Sequence, residues 1–174
     1  IVRNKGTIET VYGLSISSQN PVVQENRIII DGKYYYTSNS SEIENLAGNY
    51  VEYYYYENSH NNDNYDTILM ARAISTNKDI VINIKDFDAL DGERLTYYEA
   101  EKSRIKKIDL VNPDIVYNGT YLGKNIANTI KTLNKGTITV KDKDNDQYYD
   151  VLIIEDYANF IISRVDVESG KIYN

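Results

Sequence analysis

The sequence predicts a mainly β fold, a β-sandwich or small barrels built from hairpins, with two short helices. Three observations carry that expectation. Short apolar runs alternate with polar residues or sit between clusters of Gly, Asn and Asp. Turn signals recur roughly every eight to twelve residues, the spacing of sandwiches and barrels. Asp31-Gly32 and Asn118-Gly119 interrupt such runs. They are strong hairpin signals, because both central positions of a tight primed turn need positive φ.

Residues 5–12 alternate and form the first expected strand. Residues 27–30 and 33–37 flank Asp31-Gly32 as a hairpin. Residues 40–48 offer a serine N-cap, an acidic first turn and a closing glycine, which predicts a helix near 41–47. Residues 50–56 and 67–74 form a second hairpin across the polar loop 57–66. Residues 79–84 are another strand, and Asp86-Phe-Asp-Ala-Leu-Asp-Gly92 is a turn or a single helical turn. Residues 94–99 and 104–110 make a third hairpin. Pro113 breaks the chain before Ile115-Val-Tyr117. Ile126, Ala127, Ile130 and Leu133 fall at helical intervals, predicting an amphipathic helix over 123–133. Residues 137–140 and 151–154 are strands around an acidic loop, and 158–167 closes the chain as a strand. One β-rich module over 1–174 is expected, with a sub-boundary near 85–92. Lys5-Gly-Thr-Ile8 recurs as Lys135-Gly-Thr-Ile138, a match too short to define a repeat.

Composition excludes several functions. Hydrophobic residues make up 41% of the chain, enough to bury a core. The net charge of −7 and pI of about 4.8 argue against a nucleic-acid partner. The basic cluster Lys102-Ser-Arg104-Ile-Lys-Lys107 reads as the exposed face of a strand. Cysteine is absent, which removes disulfides, thiolate zinc sites and a cysteine nucleophile. No apolar run approaches the roughly 18 residues of a membrane span, so membrane insertion is not expected. The only methionine is Met70, which suggests a processed product or a piece of a longer parent. The bias toward Ile, Asn, Lys, Tyr and Asp is that of an AT-rich genome.

Asp142-Lys-Asp144-Asn-Asp146-Gln-Tyr-Tyr-Asp150 is the segment with the most chemical content. Carboxylates at the first, third, fifth and ninth positions of a loop can wrap one hard cation, and calcium tolerates such irregular geometry. The expected ligands are Asp142, Asp144, Asp146 and Asp150, with the carbonyl of Tyr148. The sixth position is Gln147 where a helix-loop-helix calcium site has Gly, and the twelfth is Ile153 where it has Glu. Strands on both sides make this a hairpin loop instead. The competing reading is a solvated acidic turn, since Asp and Asn favour turns on their own.

Tyrosine stands out at 18 residues, against 2 Phe and no Trp. On strands, successive rings of Tyr34–Tyr36 and Tyr53–Tyr56 must alternate between core and surface. The outward rings suit contact with neighbouring protein or stacking on sugar. His60, the single histidine, lies in a polar loop and reads as solvated rather than as a triad or zinc residue. Asp86, Asp88 and Asp91 form a second acidic patch, read as a turn. No phosphate-binding Gly loop or dinucleotide fingerprint is present. The chain is expected to have no catalytic activity.

The C-terminal third, from Val116-Tyr-Asn-Gly119 through Lys135-Gly-Thr-Ile-Thr-Val140 and the Asp loop to Tyr149-Asp-Val-Leu-Ile-Ile-Glu-Asp-Tyr157, has a recognisable cadence. It resembles modules of large surface proteins of low-GC bacteria that carry S-layer homology domains, and similar segments of phage structural proteins. The match covers about residues 102–174 and departs at Gln147, where the modules have glycine. The resemblance implies a non-enzymatic building block of an extracellular assembly, virion or cell coat, whose partners are neighbouring structural proteins or copies of itself. The alternative is a carbohydrate-binding or glycan-active module using exposed tyrosines such as Tyr54 and Tyr55.

Overall fold

The chain forms two strand rings that repeat one topology. The computed structural model describes residues 1–19, 22–38, 40–57, 65–99, 104–123, 133–158, 164–167 and 171–173. The first ring comprises β1 (Val2–Val11), β3 (Arg27–Ile30), β4 (Lys33–Thr37), β5 (Tyr50–Tyr56) and β6 (Asp66–Ala73). The two-residue β2 (Leu14–Ser15) folds back on the end of β1. Antiparallel pairs join β1 to β3, β3 to β4, β5 to β6 and β5 to β1, while β4 and β6 run parallel. Counted within the ring, the order is first, second, third, fifth, fourth and back to first. The short helix α1 (Ser40–Glu44) sits between the third and fourth strands. This is the strand order of the OB-type Greek-key barrel.

The second ring repeats it. β7 (Ile80–Asn83) and β8 (Phe87–Asp91) are one strand bent by a 3-10 turn at Ile84–Asp86. β9 (Arg94–Glu99), β10 (Arg104–Tyr117), β12 (Gly136–Lys141) and β13 (Tyr149–Asp156) complete the circuit. β8 pairs with β9, β9 with β10, β12 with β13 and β12 with β7, all antiparallel, and β10 runs parallel to β13. β11 (Thr120–Gly123) adds a hairpin to β10. In both rings the first strand must change partners midway. β1 does so around Gly6 and Thr7, and the second ring uses the 3-10 turn. A final hairpin pairs β14 (Arg164–Asp166) with β15 (Lys171–Tyr173).

Each ring has its own core. Ile8, Ile28, Ile30, Tyr35, Val51, Tyr53 and Ile68 fill the first; Ile82, Leu95, Leu110, Ile115, Ile138, Val140, Leu152 and Ile154 fill the second. A third cluster joins the barrels: Ile16, with Leu14 beside it, meets Val116, Val151 and Ile153. It explains the unbroken Val151-Leu-Ile-Ile154 run. Leu152 and Ile154 enter the barrel while Val151 and Ile153 face the seam, so both sides of β13 are dry.

The mainly β expectation holds, and the two Gly turns form with positive φ at Asp31, Gly32, Asn118 and Gly119. Three details differ from the sequence reading. Asp86–Gly92 is mostly strand, because its apolar Phe87 and Leu90 pack on the second core. Pro113 does not end a strand: β10 runs through it, with Asn112 at φ 48° and a register shift on the β13 side. The helix expected near 41–47 is confined to α1, Ser40–Glu44, after which the chain turns to Gly48. Residues 85–92 lie within the second ring, and the chain passes between rings over 74–79. Lys5–Ile8 lies on a first strand and Lys135–Ile138 leads into a fourth, so that short match is unrelated to the duplicated topology. His60, and the helix expected at 123–133 apart from its end residues, lie outside the described residues.

A candidate metal centre at the seam between the barrels

The Asp loop joins the fourth and fifth strands of the second barrel and folds back on itself through side-chain caps. Asp142, buried at the end of β12, accepts Asn145 N–H at 2.7 Å on Oδ1 and Gln147 N–H at 3.2 Å on Oδ2. Asp144 accepts Asp146 N–H at 3.1 Å, and Asp146 accepts Tyr148 N–H at 2.8 Å. These are the Asx turns that such residues favour. Asn145 and Gln147 take φ of 63° and 78°. Gln147 therefore adopts the left-handed conformation that glycine takes without strain, at some backbone cost.

Three of the four expected carboxylates converge. One oxygen each from Asp142, Asp144 and Asp146 lies within 4.8 Å of the others. Two oxygens bound to one calcium at 2.3–2.6 Å are at most about 5 Å apart, so the spacing fits that ion. Hard carboxylate oxygens, with no histidine among them, suit calcium better than zinc. Among the described residues this is the one group of that kind.

Asp150 is drawn elsewhere. Its carboxylate accepts Lys143 N–H at 2.9 Å and lies 3.4 Å from Lys143 Nζ. Burial pushes its pKa up to about 6, against the opposing pull of Lys143. Lys143 is held mainly by Asp114 at 2.7 Å, which also accepts Tyr121 Oη–H at 2.8 Å. Tyr148 is exposed and closes the turn on Asp146 through its N–H. Asp86, Asp88 and Asp91 do not gather into a site; Asp88 accepts the Thr96 hydroxyl.

The loop is fastened to everything around it. Ser75 Oγ–H donates to the Asp142 carbonyl at 2.7 Å, and Thr7 Oγ1–H of the first barrel donates to the Lys143 carbonyl at 2.6 Å. Thr76 N–H and Oγ1–H both reach Asn145 Oδ1. Sequence reasoning found the carboxylates but not these anchors. Isolated serines and threonines far away in sequence carry no local signal.

The tyrosine runs divide as strand alternation requires. Tyr35, Tyr53 and Tyr55 are buried and pack edge-on or stacked within 5.5–5.8 Å. Tyr55 is thus a core residue, removed from the exposed set. Tyr34, Tyr36 and Tyr54 are half-buried and Tyr56 is exposed. Tyr34 stacks on Tyr65 at 5.7 Å, and the Arg27 guanidinium lies over the Tyr65 ring. Among the described residues no helix is long and apolar enough to cross a membrane. Comparisons with protein families, curated proteins and solved structures find no match to this chain.

Proposed function

We propose that this chain is a non-enzymatic structural module of a large extracellular assembly, a phage particle or an S-layer-like coat, and that the Asp loop binds calcium to stiffen it. One observation carries the reading: the loop spans the joint between the barrels. An ion held by Asp142, Asp144 and Asp146 would fix the backbone to which Ser75, Thr76 and Thr7 are bonded. Calcium would then set the angle between two barrels, which suits a building block and has no use in turnover. The partners are neighbouring structural proteins or further copies, met through outward Tyr54 and Tyr56 and the adjoining Met70.

Sedimentation with and without calcium tests this. Self-association or binding to the neighbouring coat or tail protein should strengthen in calcium. It should weaken in Tyr56→Ser, a substitution at an exposed ring that should leave the variant's melting temperature at the parent's value in the same buffer. A chain that is monomeric and binds no structural neighbour in either condition overturns the reading. Genes for portal and tail proteins beside its own would assign it to a virion. A secretion signal with S-layer homology repeats would assign it to a cell coat.

A second reading has its own support. OB-type barrels bind oligosaccharides on their second and third strands and the adjoining loops. In the first barrel Arg27, Tyr34 and Tyr65 stack in that region. Fold alone does not assign function. Glycan binding on an array, abolished by Tyr34→Ala, would favour this alternative.

A further inference from the structure

Lys141 ends β12 on the side facing away from the second core, where Ile138 and Val140 point inward. Its stem crosses Gly48, where an added Cβ would lie 3.3 Å from Lys141 Cδ. Its amine ends inside the first barrel's territory. Nζ is 2.8 Å from Asn49 Oδ1, 3.2 Å from the Asn45 carbonyl and 3.4 Å from Asp79 Oδ2. Asn49 Nδ2–H donates to the other Asp79 oxygen at 2.8 Å, which fixes the orientation of the amide. Lys141 and Asn49 are only 4% and 3% exposed.

An ion pair alone would explain a lysine beside a carboxylate. It would not require a buried side-chain amide between them, held by both. A carbonyl carbon lies about 1.23 Å beyond its oxygen, which puts the amine about 3 to 4 Å from Asn49 Cγ. That approaches the separation of about 3–3.5 Å from which intramolecular attack gains most. Asp79 Oδ2, 3.4 Å from Nζ, is placed to take a proton from it and leave the nucleophilic free amine.

We propose that Lys141 and Asn49 join in an intramolecular isopeptide bond, formed by the folded chain itself with Asp79 as proton carrier. Asp79 takes one proton from the Lys141 ammonium, and the freed lone pair forms the Nζ–Cγ bond. The Cγ–Nδ2 bond then breaks. Asp79, already bonded to Nδ2, returns its proton to the leaving nitrogen, and a second proton passes there from Nζ. The leaving nitrogen departs as ammonium and Asp79 is again a carboxylate. No oxidant, cofactor or second substrate is consumed. Asp79 faces an open cleft of about 310 Å³ through which the product can leave. The bond would tie residue 49 of the first barrel to residue 141 of the second. It happens once per chain and is not turnover. It stands whether or not the Asp loop holds calcium.

Intact-mass spectrometry and peptide sequencing of the purified chain test it. The expected result is a mass lower than the sequence mass by one ammonia, with a branched peptide joining the segments around Asn49 and Lys141. Lys141→Met and Asp79→Ala should each restore the full mass. The unaltered mass in the parent chain after prolonged warming overturns the proposal whatever the variants do. Loss of ammonia without the branched peptide also overturns it, because a succinimide at Asn118-Gly119 sheds ammonia too. A branched peptide that persists in Asp79→Ala overturns the role given to Asp79.

Discussion

Asn145 Oδ1 accepts both the N–H and the hydroxyl of Thr76, at 2.6 and 2.7 Å, so the tip of the Asp loop is clasped to the segment joining the barrels. Loop order and barrel orientation are therefore coupled through a few hydrogen bonds.

The first prediction follows from that coupling. Millimolar calcium should raise the melting temperature relative to EDTA, because the ion binds only the folded loop. The gain is about 2.7 kcal/mol at one hundred times the dissociation constant. Asp144→Ala should abolish the shift, whereas Asp150→Asn should keep part of it, since Asp150 is engaged with Lys143. Identical melting curves in EDTA and calcium would remove the ion from the account.

Glu52 sets an acid limit. It sits on the outer face of β5 under Arg3 and Arg72, accepting Arg3 Nε–H at 2.8 Å and Arg72 Nε–H and Nη2–H at 3.0 and 2.6 Å. Hydrogen bonds from Arg3 and then Arg72 hold its pKa below the ordinary 4.5. As pH falls, the unfolded chain takes up this proton first. The contribution to stability is therefore complete above about pH 4.5 and drains away as pH drops through the lowered value. Urea titrations from pH 6 to 3 should show a shallower acid limb in Glu52→Gln than in the parent chain.

Buried tyrosines give a third expectation. Tyr35 and Tyr53 share a hydrogen bond of 3.0 Å between their hydroxyls inside the first barrel. Tyr53→Phe should cost about 1–2 kcal/mol by leaving the Tyr35 hydroxyl without that partner. The double change to Phe should cost less than the sum of the singles. Additive losses in a urea double-mutant cycle would show that the bond contributes nothing.

Gly119 probes the seam. It adopts φ +79°, and a Cβ there would strike the carbonyl oxygen of Gly13 in the first barrel. Gly92 has φ +59° with nothing within 4 Å of an added Cβ. Both alanine variants carry the backbone penalty of positive φ, more than about 1 kcal/mol. Only Gly119→Ala should add a loss from separating the barrels. Equal effects in thermal unfolding would mean that the seam yields freely.

Much of this molecule was legible in local sequence. The hairpins at Asp31-Gly32, 50–74, 94–110 and 137–154 follow from alternation and turn chemistry, which act over a few residues. The convergence of Asp142, Asp144 and Asp146 was also readable, because one short loop holds all three. The ring closures were not: they pair β1 with β5 and β7 with β12, over separations that no periodicity encodes. The engagement of Asp150 with Lys143 was not readable, because nothing in the sequence marks that pairing. The Lys141, Asn49 and Asp79 cluster was invisible for the same reason. Its members come from three distant parts of the chain, the end of β12 and the segments before β5 and β7, and meet only when the barrels dock.

Ring closure also decides how this protein can touch others. A sheet that ends in a free strand invites another strand to extend it, the commonest route by which β-proteins stick together unintentionally. Among the described residues the strands of each ring pair on to the next, which leaves unpaired edges over short stretches such as β2, β8, β11, the start of β10 and the β14–β15 hairpin. Copies crowded together at high concentration thus have little backbone to template on. Recognition is left to side chains on the outer faces, so joining can be switched by a few substitutions without disturbing the fold.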